Sequence, residues 1–329
     1  MGALSKHPLR TRAMPLVCRV PGRGSGMVSP EARAKIAEMF ANKRAEEMQF
    51  PDGKPIELRR RDWEAEARLD QLPKGARFSA ADANGIKSEW MDMPLIDKNR
   101  VFLLLHGGGY NAGSPRTHRK MAAFLSRASH ARVLTPDYRL APEHPFPAAV
   151  KDALKSYGWL LDQGFTESQV IVGGDSAGGG LTLSMLLALR EAGATMPRAA
   201  VLMSPWTDLS VSSPTYERFR RLDPIITRES LGEAGAWYAG RRDLRDPMAS
   251  PLFADLARLP PMLIHAGGDE TMLDDSRIFA ERARAAGVDV TFKIYDGMWH
   301  VHHSGAPDVP ESVAAYNDIA AFIRAQFGG

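Results

Sequence analysis

Ser176 stands in the frame Gly174-Asp175-Ser176-Ala177-Gly178, which fits the G-x-S-x-G spacing of a serine held on a very sharp strand-to-helix turn. The run before it, Val170-Ile171-Val172, is β-branched, and the run after it is rich in Leu, Met and Ala. Bulk two residues either side of such a turn would clash with the neighbouring strand and helix, and the glycines relieve that crowding. The hydroxyl is then lifted above the sheet, with the N-terminus of a helix behind it to favour developing negative charge. A glycine-rich phosphate loop is the alternative use of such a turn, but the lysine and the glycine spacing that it needs are missing.

A serine hydroxyl is a poor nucleophile near neutral pH and needs a base, which in turn needs an orienting carboxylate. On this type of turn the chain order is serine, acid, histidine. After Ser176 the histidines are His265, His300, His302 and His303. His265 sits in the apolar run Met262-Leu263-Ile264 and reads as a core histidine, whereas Gly297-Met298-Trp299 carries His300 straight off a strand end, so His300 is expected to be the base. His302 and His303 are expected to point elsewhere. For the acid, Asp269 follows the Gly267-Gly268 turn at a strand tip, while Asp274 and Asp275 fall where acids cap a helix start; Asp269 is the expected partner of His300. His106-Gly107-Gly108-Gly109-Tyr110 follows another apolar strand, 70 residues before the serine, and three glycines there can turn N–H groups inward to cradle an oxyanion.

These loops need a scaffold, and the rest of the chain supplies one. Val101-Phe102-Leu103-Leu104-Leu105 is a continuous apolar run, as expected of a strand buried on both faces. Strands are expected near 77–80, 86–93, 132–135, 169–172, 199–203, 262–265 and 290–295. Helices are expected at 117–128, 147–162, 177–193, 272–286 and 310–326. Regular alternation implies an α/β fold, a mostly parallel central sheet with helices on both faces. Two helices precede it, from Ser29-Pro30-Glu31 to about Met48 and from Ile56 to Leu72, and they are expected to lie across something apolar because alone they bury too little. The rhythm breaks again between Trp206 and Gly240. The division is therefore a leader over 1–28, cap helices over 29–72, a cap insertion over 207–240, and a catalytic core over 73–206 and 241–329.

Composition narrows the function further. The 329 residues are 44% hydrophobic and 25% charged, with a net charge of +3, an ordinary soluble balance. Residues 1–30 hold five Lys/Arg and no acid, so the remainder is near neutral and carries no basic, aromatic-studded stripe for nucleic acid. The leader is short of apolar residues, reads as flexible rather than as a secretory signal, and makes Met27 a candidate start; an intact mass beginning at Met1 would exclude that start. Cys18 is the single cysteine, so no internal disulfide or cysteine-based zinc site is available, and a cytoplasmic location fits. No metal or organic cofactor and no stable membrane insertion is expected.

The chain from about Val101 onward resembles the hormone-sensitive-lipase family of α/β-hydrolases, in its bacterial esterase branch. The resemblance rests on His106-Gly107-Gly108-Gly109, on Asp137-Tyr138-Arg139-Leu140-Ala141-Pro142-Glu143 and on Gly174-Asp175-Ser176-Ala177-Gly178-Gly179. Ser204-Pro205-Trp206-Thr207-Asp208, Asp246-Pro247-Met248-Ala249-Ser250-Pro251 and Asp269-Glu270 with Leu273-Asp274-Asp275 add to it. It implies an α/β-hydrolase fold with a helical cap, and a carboxylesterase acting on short- to medium-chain acyl esters through Ser176, His300 and Asp269. It further implies oxyanion donors at Gly107, Gly108 and Ala177, with His106 bracing its loop and residues 137–143 shaping the site floor. Gly109, Tyr110, Asp175, Trp206 and Trp299 are the expected substrate-pocket residues, with Trp206 walling the acyl pocket or, alternatively, simply packing cap on core. Trp299 and His302 depart from the family pattern. Lactone, amide or acetylated natural-product hydrolysis on the same triad remains open at this point. So does a homodimer. A non-catalytic receptor is disfavoured by the presence of His300, and a membrane-held lipase by the leader's lack of an apolar stripe.

Overall fold

The computed structural model describes residues 28–328; the leader expected over 1–28 lies outside them except for Val28. Eight strands run β1 (Arg77–Ala83), β2 (Ile86–Asp92), β3 (Asp97–Leu105), β4 (Ala131–Pro136), β5 (Val170–Asp175), β6 (Ala199–Met203), β7 (Met262–Gly267) and β8 (Val290–Tyr295). They form one sheet in the order β1-β2-β4-β3-β5-β6-β7-β8. The β1–β2 and β2–β4 pairs are antiparallel, and every pair from β4 to β8 is parallel.

Helices α1 (Pro30–Gln49), α2 (Ile56–Glu66), α3 (Arg119–Ser129), α4 (Ala148–Asp162), α5 (Ala177–Glu191), α6 (Thr215–Arg218), α7 (Arg228–Ala239), α8 (Leu273–Ala285) and α9 (Pro310–Phe327) complete the regular elements. The central parallel strands β5, β6 and β7 and the C-terminal half of β3 are buried on both faces, and alternate residues feed different cores. Val101, Leu103 and Leu105 of β3 join Val172 of β5, Leu202 of β6 and Ile264 of β7 beneath α4, α5 and α8. Phe102, Leu104, Ile171 and Val201 point the other way, onto α3 and α9. The period of two along each strand thus fills two layers from one apolar run. That is why these strands read as continuous hydrophobic stretches rather than as alternating ones.

Of the two N-terminal helices, the first runs where expected and the second is shorter. Ser29 caps α1 by accepting the Ala32 N–H at 3.1 Å, and its own N–H and hydroxyl donate to Glu311 of α9. Beyond Ala32, α1 buries no residue fully; Ile36, Met39 and Phe40 are only half-buried. The second helix stops at Glu66 rather than continuing to Leu72. Leu69, expected on its apolar face, is 83% exposed, and the residue before Pro73 is biased out of helical geometry. Between β6 and β7 lie α6, α7 and the loops that carry them.

Candidate active site

The site is assembled at the C-terminal ends of the parallel strands. Ser176 is the single residue between β5 and α5, with φ 53° and ψ −122°, a positive φ that a non-glycine residue adopts only where its surroundings enforce it. Its N–H donates to the Met203 carbonyl of β6 at 2.9 Å, and its carbonyl accepts from Trp206 N–H at 2.9 Å. A Cβ on Gly178 would lie 1.9 Å from the Leu105 carbonyl oxygen, and one on Gly174 would lie 2.3 Å from the same atom. These two glycines let the turn nestle against the end of β3.

Because Leu105 pairs with Gly174, the loop leaving β3 starts beside the serine turn. The two are tied together by Asp175, whose Oδ1 accepts the Gly107 N–H at 3.0 Å and faces His118 Nε2 at 3.4 Å. Burial alone would raise the Asp175 pKa, but His118 and the Gly107 N–H outweigh it and the carboxyl is held below its ordinary range. Gly107 N–H, also 3.2 Å from His118 Nε2, is therefore occupied. That corrects the expectation of Gly107 as an oxyanion donor. The neighbouring Gly108 and Gly109 have φ 115° and 62°, and their N–H groups meet no protein acceptor among the described residues. Ala177 is the first residue of α5, where backbone N–H groups have no helical partner. His106 braces this loop: its ring stacks on Tyr138 at 4.1 Å, and Tyr138 Oη donates to the His106 carbonyl at 2.7 Å. Burial lowers the His106 pKa to about 3, so the ring is neutral.

His300 leaves β8, three strands along the sheet from β5, and its loop is drawn back across the end of β6. Val301, with φ 53°, donates its N–H to Ser204 Oγ at 3.2 Å. His300 Nδ1 lies 2.9 Å from Glu270 Oε2. Nε2, the other ring nitrogen, is buried with no hydrogen-bond partner among the described residues, and His300 and Ser176 line the same cavity. Burial by itself would lower the His300 pKa; the hydrogen bond and charge of Glu270, with Asp223 and Asp175 behind, reverse this and raise it.

The carboxylate that faces His300 is Glu270, not Asp269, a correction to the sequence reading. Gly268 N–H donates to the Tyr295 carbonyl and Asp269 N–H to the Met298 carbonyl. The strand-tip turn is pinned so that Asp269 stays half-buried and Glu270, fully buried, turns inward. Two adjacent acids on a turn face different ways, and the sequence alone does not say which faces the base. A further acid that the sequence reading missed, Asp223, holds this loop. Its Oδ2 accepts from Thr271 N–H at 2.9 Å and its Oδ1 from the N–H groups of Ile225 and Ile226, each at 2.9 Å. No sequence signal marked it, because nothing local distinguishes Asp223 from any other loop acid.

Above Ser176 is a cavity of about 880 Å³, walled by residues of α1, α2, α3, α7, α9 and the loops after Asp223 and His300. Trp63 of α2 packs over Gly108, 3.0 Å from where a Cβ would stand, with its ring 5.6 Å from that of His118. Arg60 of α2 donates to the carbonyls of Asn111 at 2.6 Å and Ala141 at 2.7 Å, and pairs with Glu143 at 2.6 and 2.9 Å. Among the described residues no cluster of three or more His, Cys, Asp or Glu side chains could hold a metal ion, and no helix is long and apolar enough to cross a membrane.

Comparison with known proteins agrees with this geometry. Residues 102–304 match the family described as having the alpha/beta hydrolase fold. An acetyl-hydrolase of Streptomyces hygroscopicus is 41% identical over 241 residues, covering 73% of this chain and 80% of that protein. An esterase of Acinetobacter venetianus is 39% identical over 220 residues, covering 66% and 72%. The crystal structure of an esterase from the bacterial hormone-sensitive lipase family superposes with a TM-score of 0.87 at 40% identity, over 92% of this chain and all of that one. The chain belongs to the hormone-sensitive-lipase family of α/β-hydrolases.

Three of the expected pocket residues do not line the cavity of this hydrolase. Trp206 is fully buried beside Tyr110, with ring centroids 5.7 Å apart, and its Nε1–H donates to the Asp208 carbonyl. A Cβ on Gly235 of α7 would touch its ring at 3.6 Å, so Trp206 packs α7 onto the core. Tyr110 is stacked on Tyr238 at 3.6 Å, under the cavity rather than in its wall. Trp299 packs with Ala32 of α1 and Ala315 of α9, so the tryptophan beside the base anchors the N-terminal helix. Gly109 and Asp175 do line the cavity of the hydrolase, and its apolar wall comes from Trp63, Ile225, Ile226, Leu231 and Ala234.

Proposed function

We propose that the protein is a serine carboxylesterase that cleaves short- to medium-chain acyl esters through Ser176, His300 and Glu270. The observation that carries this reading is the 2.9 Å contact between His300 Nδ1 and Glu270 Oε2, which leaves Nε2 facing no protein partner in the cavity that Ser176 lines. A carboxylate on Nδ1 fixes the tautomer with its lone pair on Nε2, the form able to take the serine proton. Ser176 Oγ attacks the ester carbonyl while His300 takes its proton, and the resulting imidazolium is stabilised by Glu270.

The charge that develops on the carbonyl oxygen is met by the N–H groups of Gly108, Gly109 and Ala177, one such donor being worth about 3 kcal/mol. His300 then protonates the departing alcohol, leaving an acyl-serine that water cleaves by the same proton path. Residues 29–72 and 207–240 act as the cap, closing over the nucleophile and excluding bulk water. The relative named acetyl-hydrolase favours the short end of the acyl range. A panel of nitrophenyl esters from two to sixteen carbons, with a lactone and an anilide, tests the reading on wild type and Ser176→Ala. Turnover highest at or below eight carbons and abolished in Ser176→Ala is expected; turnover that survives in Ser176→Ala overturns it.

A further inference from the structure

The wall contributed by α3, the loop after His300 and α9 is apolar at Met121, Phe124, Val301 and Ala306, and besides Lys120 and Ser304 it holds two buried polar side chains. His303 is 1% exposed and Tyr316 is 6% exposed. His303 Nε2 is engaged by His265 Nδ1 at 3.1 Å, while His303 Nδ1 and Tyr316 Oη are both buried without a partner among the described residues. The two rings meet edge to face at 5.8 Å. A buried polar atom left unpaired costs about 1–3 kcal/mol, and the acyl-transfer steps use neither of these. Burial lowers the His303 pKa to about 3 and raises that of the Tyr316 phenol, so both are neutral at working pH. His265, stacked on His303, and His302, tilted against it, are likewise held neutral by burial. His303 Nδ1 donates or accepts according to which imidazole carries the shared proton, and a phenol does either.

The direction of the reaction says which half of the ester meets this pair. His300 Nε2 has to reach the leaving oxygen, so the alcohol moiety departs on the His300 side, and the wall containing His303 follows His300 by three residues. We propose that His303 and Tyr316 form a polar subsite for the alcohol moiety, taking a neutral hydroxyl carried by that alcohol, so that the favoured substrates are esters of a hydroxylated alcohol rather than of a plain alkanol. This deepens the serine esterase reading and rests on it. Asp175 also acts on both groups, which disfavours a carboxylate in the same place.

The test compares kcat/KM, by pH-stat titration, for propyl butyrate and glyceryl monobutyrate in wild type and Tyr316→Phe, a variant that removes one oxygen and no packing. Nitrophenyl butyrate serves as the control, and nitrophenyl 3-hydroxybutyrate as the arm with the hydroxyl on the acyl side. Wild type is expected to prefer the glyceryl ester by about tenfold, as about 1.4 kcal/mol of hydrogen bonding gives. Tyr316→Phe should lose most of that preference while keeping its rate on nitrophenyl butyrate. No preference in wild type, a preference unchanged in Tyr316→Phe, or one confined to the hydroxybutyrate overturns the subsite. Loss of nitrophenyl butyrate turnover in wild type would instead overturn the esterase reading itself.

Discussion

His300 is useful only if one ring nitrogen is held and the other is left bare, and Glu270 is the side chain that holds it. Glu270→Gln removes the charge and offers an amide that matches the wrong tautomer, so kcat on nitrophenyl butyrate should fall by roughly 10³–10⁴ with the circular dichroism spectrum unchanged. Asp269→Asn, one residue earlier, should stay within a factor of about three of wild type. The net rise of the His300 pKa above its ordinary 6.5 sets the acid limb of activity. The imidazole has to be neutral to accept the serine proton, so kcat/KM should decline as pH falls through a pKa above 6.5. Gly178→Ala is a test of the turn itself. Its new methyl would sit 1.9 Å from the Leu105 carbonyl oxygen, backbone that cannot swing away, and the variant should lose about 3 kcal/mol or more of stability in urea titration. The sharp turn that carries Ser176, its two glycines and the strand end that carries His300 were legible before any coordinates because each has a local signature: a motif, a strand end, a fixed chain order. The acid was legible only to within one residue, and the Gly107 amide was misjudged because its acceptor, Asp175, lies 68 residues away.

At the scale of elements, two long-range ties fix the loops that meet at Ser176. One runs from α2 to the glycine loop after β3, through Arg60 on the carbonyls of Asn111 and Ala141 and through Arg116 on Glu64 at 2.9 Å. Arg60→Ala should speed amide hydrogen exchange over residues 107–116 and lower kcat/KM by about tenfold, since small misplacements of oxyanion donors are costly. The other tie runs from the loop before α7 to the acid, through Asp223 on Thr271. The charged groups that act on His300 are Glu270, Asp223 and Asp175, with His302 close by. Asp223→Asn removes one negative charge that favours the imidazolium, so the acid limb should move to lower pH, and an amide forced against N–H donors should loosen Glu270 and lower kcat by about tenfold. A purely structural role for Asp223 would lower stability and leave the limb where it was. The strands and core helices were placed within a few residues by their hydrophobic periods. Of the N-terminal helices, α1 was placed to within a residue or two by its Ser29-Pro30-Glu31 start, whereas α2 ends six residues earlier than expected, because Leu69 in the stretch after Glu66 has no apolar surface to lie on.

For the molecule as a whole, the sheet supplies rigidity, and the segments before β1 and between β6 and β7 enclose the cavity together with α3, α9 and the loop after His300. Trp206 belongs to the first of these. Trp206→Ala should destabilise by about 3–5 kcal/mol, yet leave the acyl chain-length profile nearly unchanged, because its ring supports α7 from beneath instead of lining the cavity. The central claim is that one serine becomes nucleophilic through His300 and Glu270 acting together. The most direct test is the rate at which a nitrophenyl phosphonate ester labels the protein, with the modified peptide located by mass spectrometry. Wild type and Asp269→Asn should each take up one phosphonyl group on Ser176 at similar rates, with Glu270→Gln slowed by at least about a hundredfold. Labelling on another residue, or a slow Asp269→Asn beside an unaffected Glu270→Gln, would contradict it.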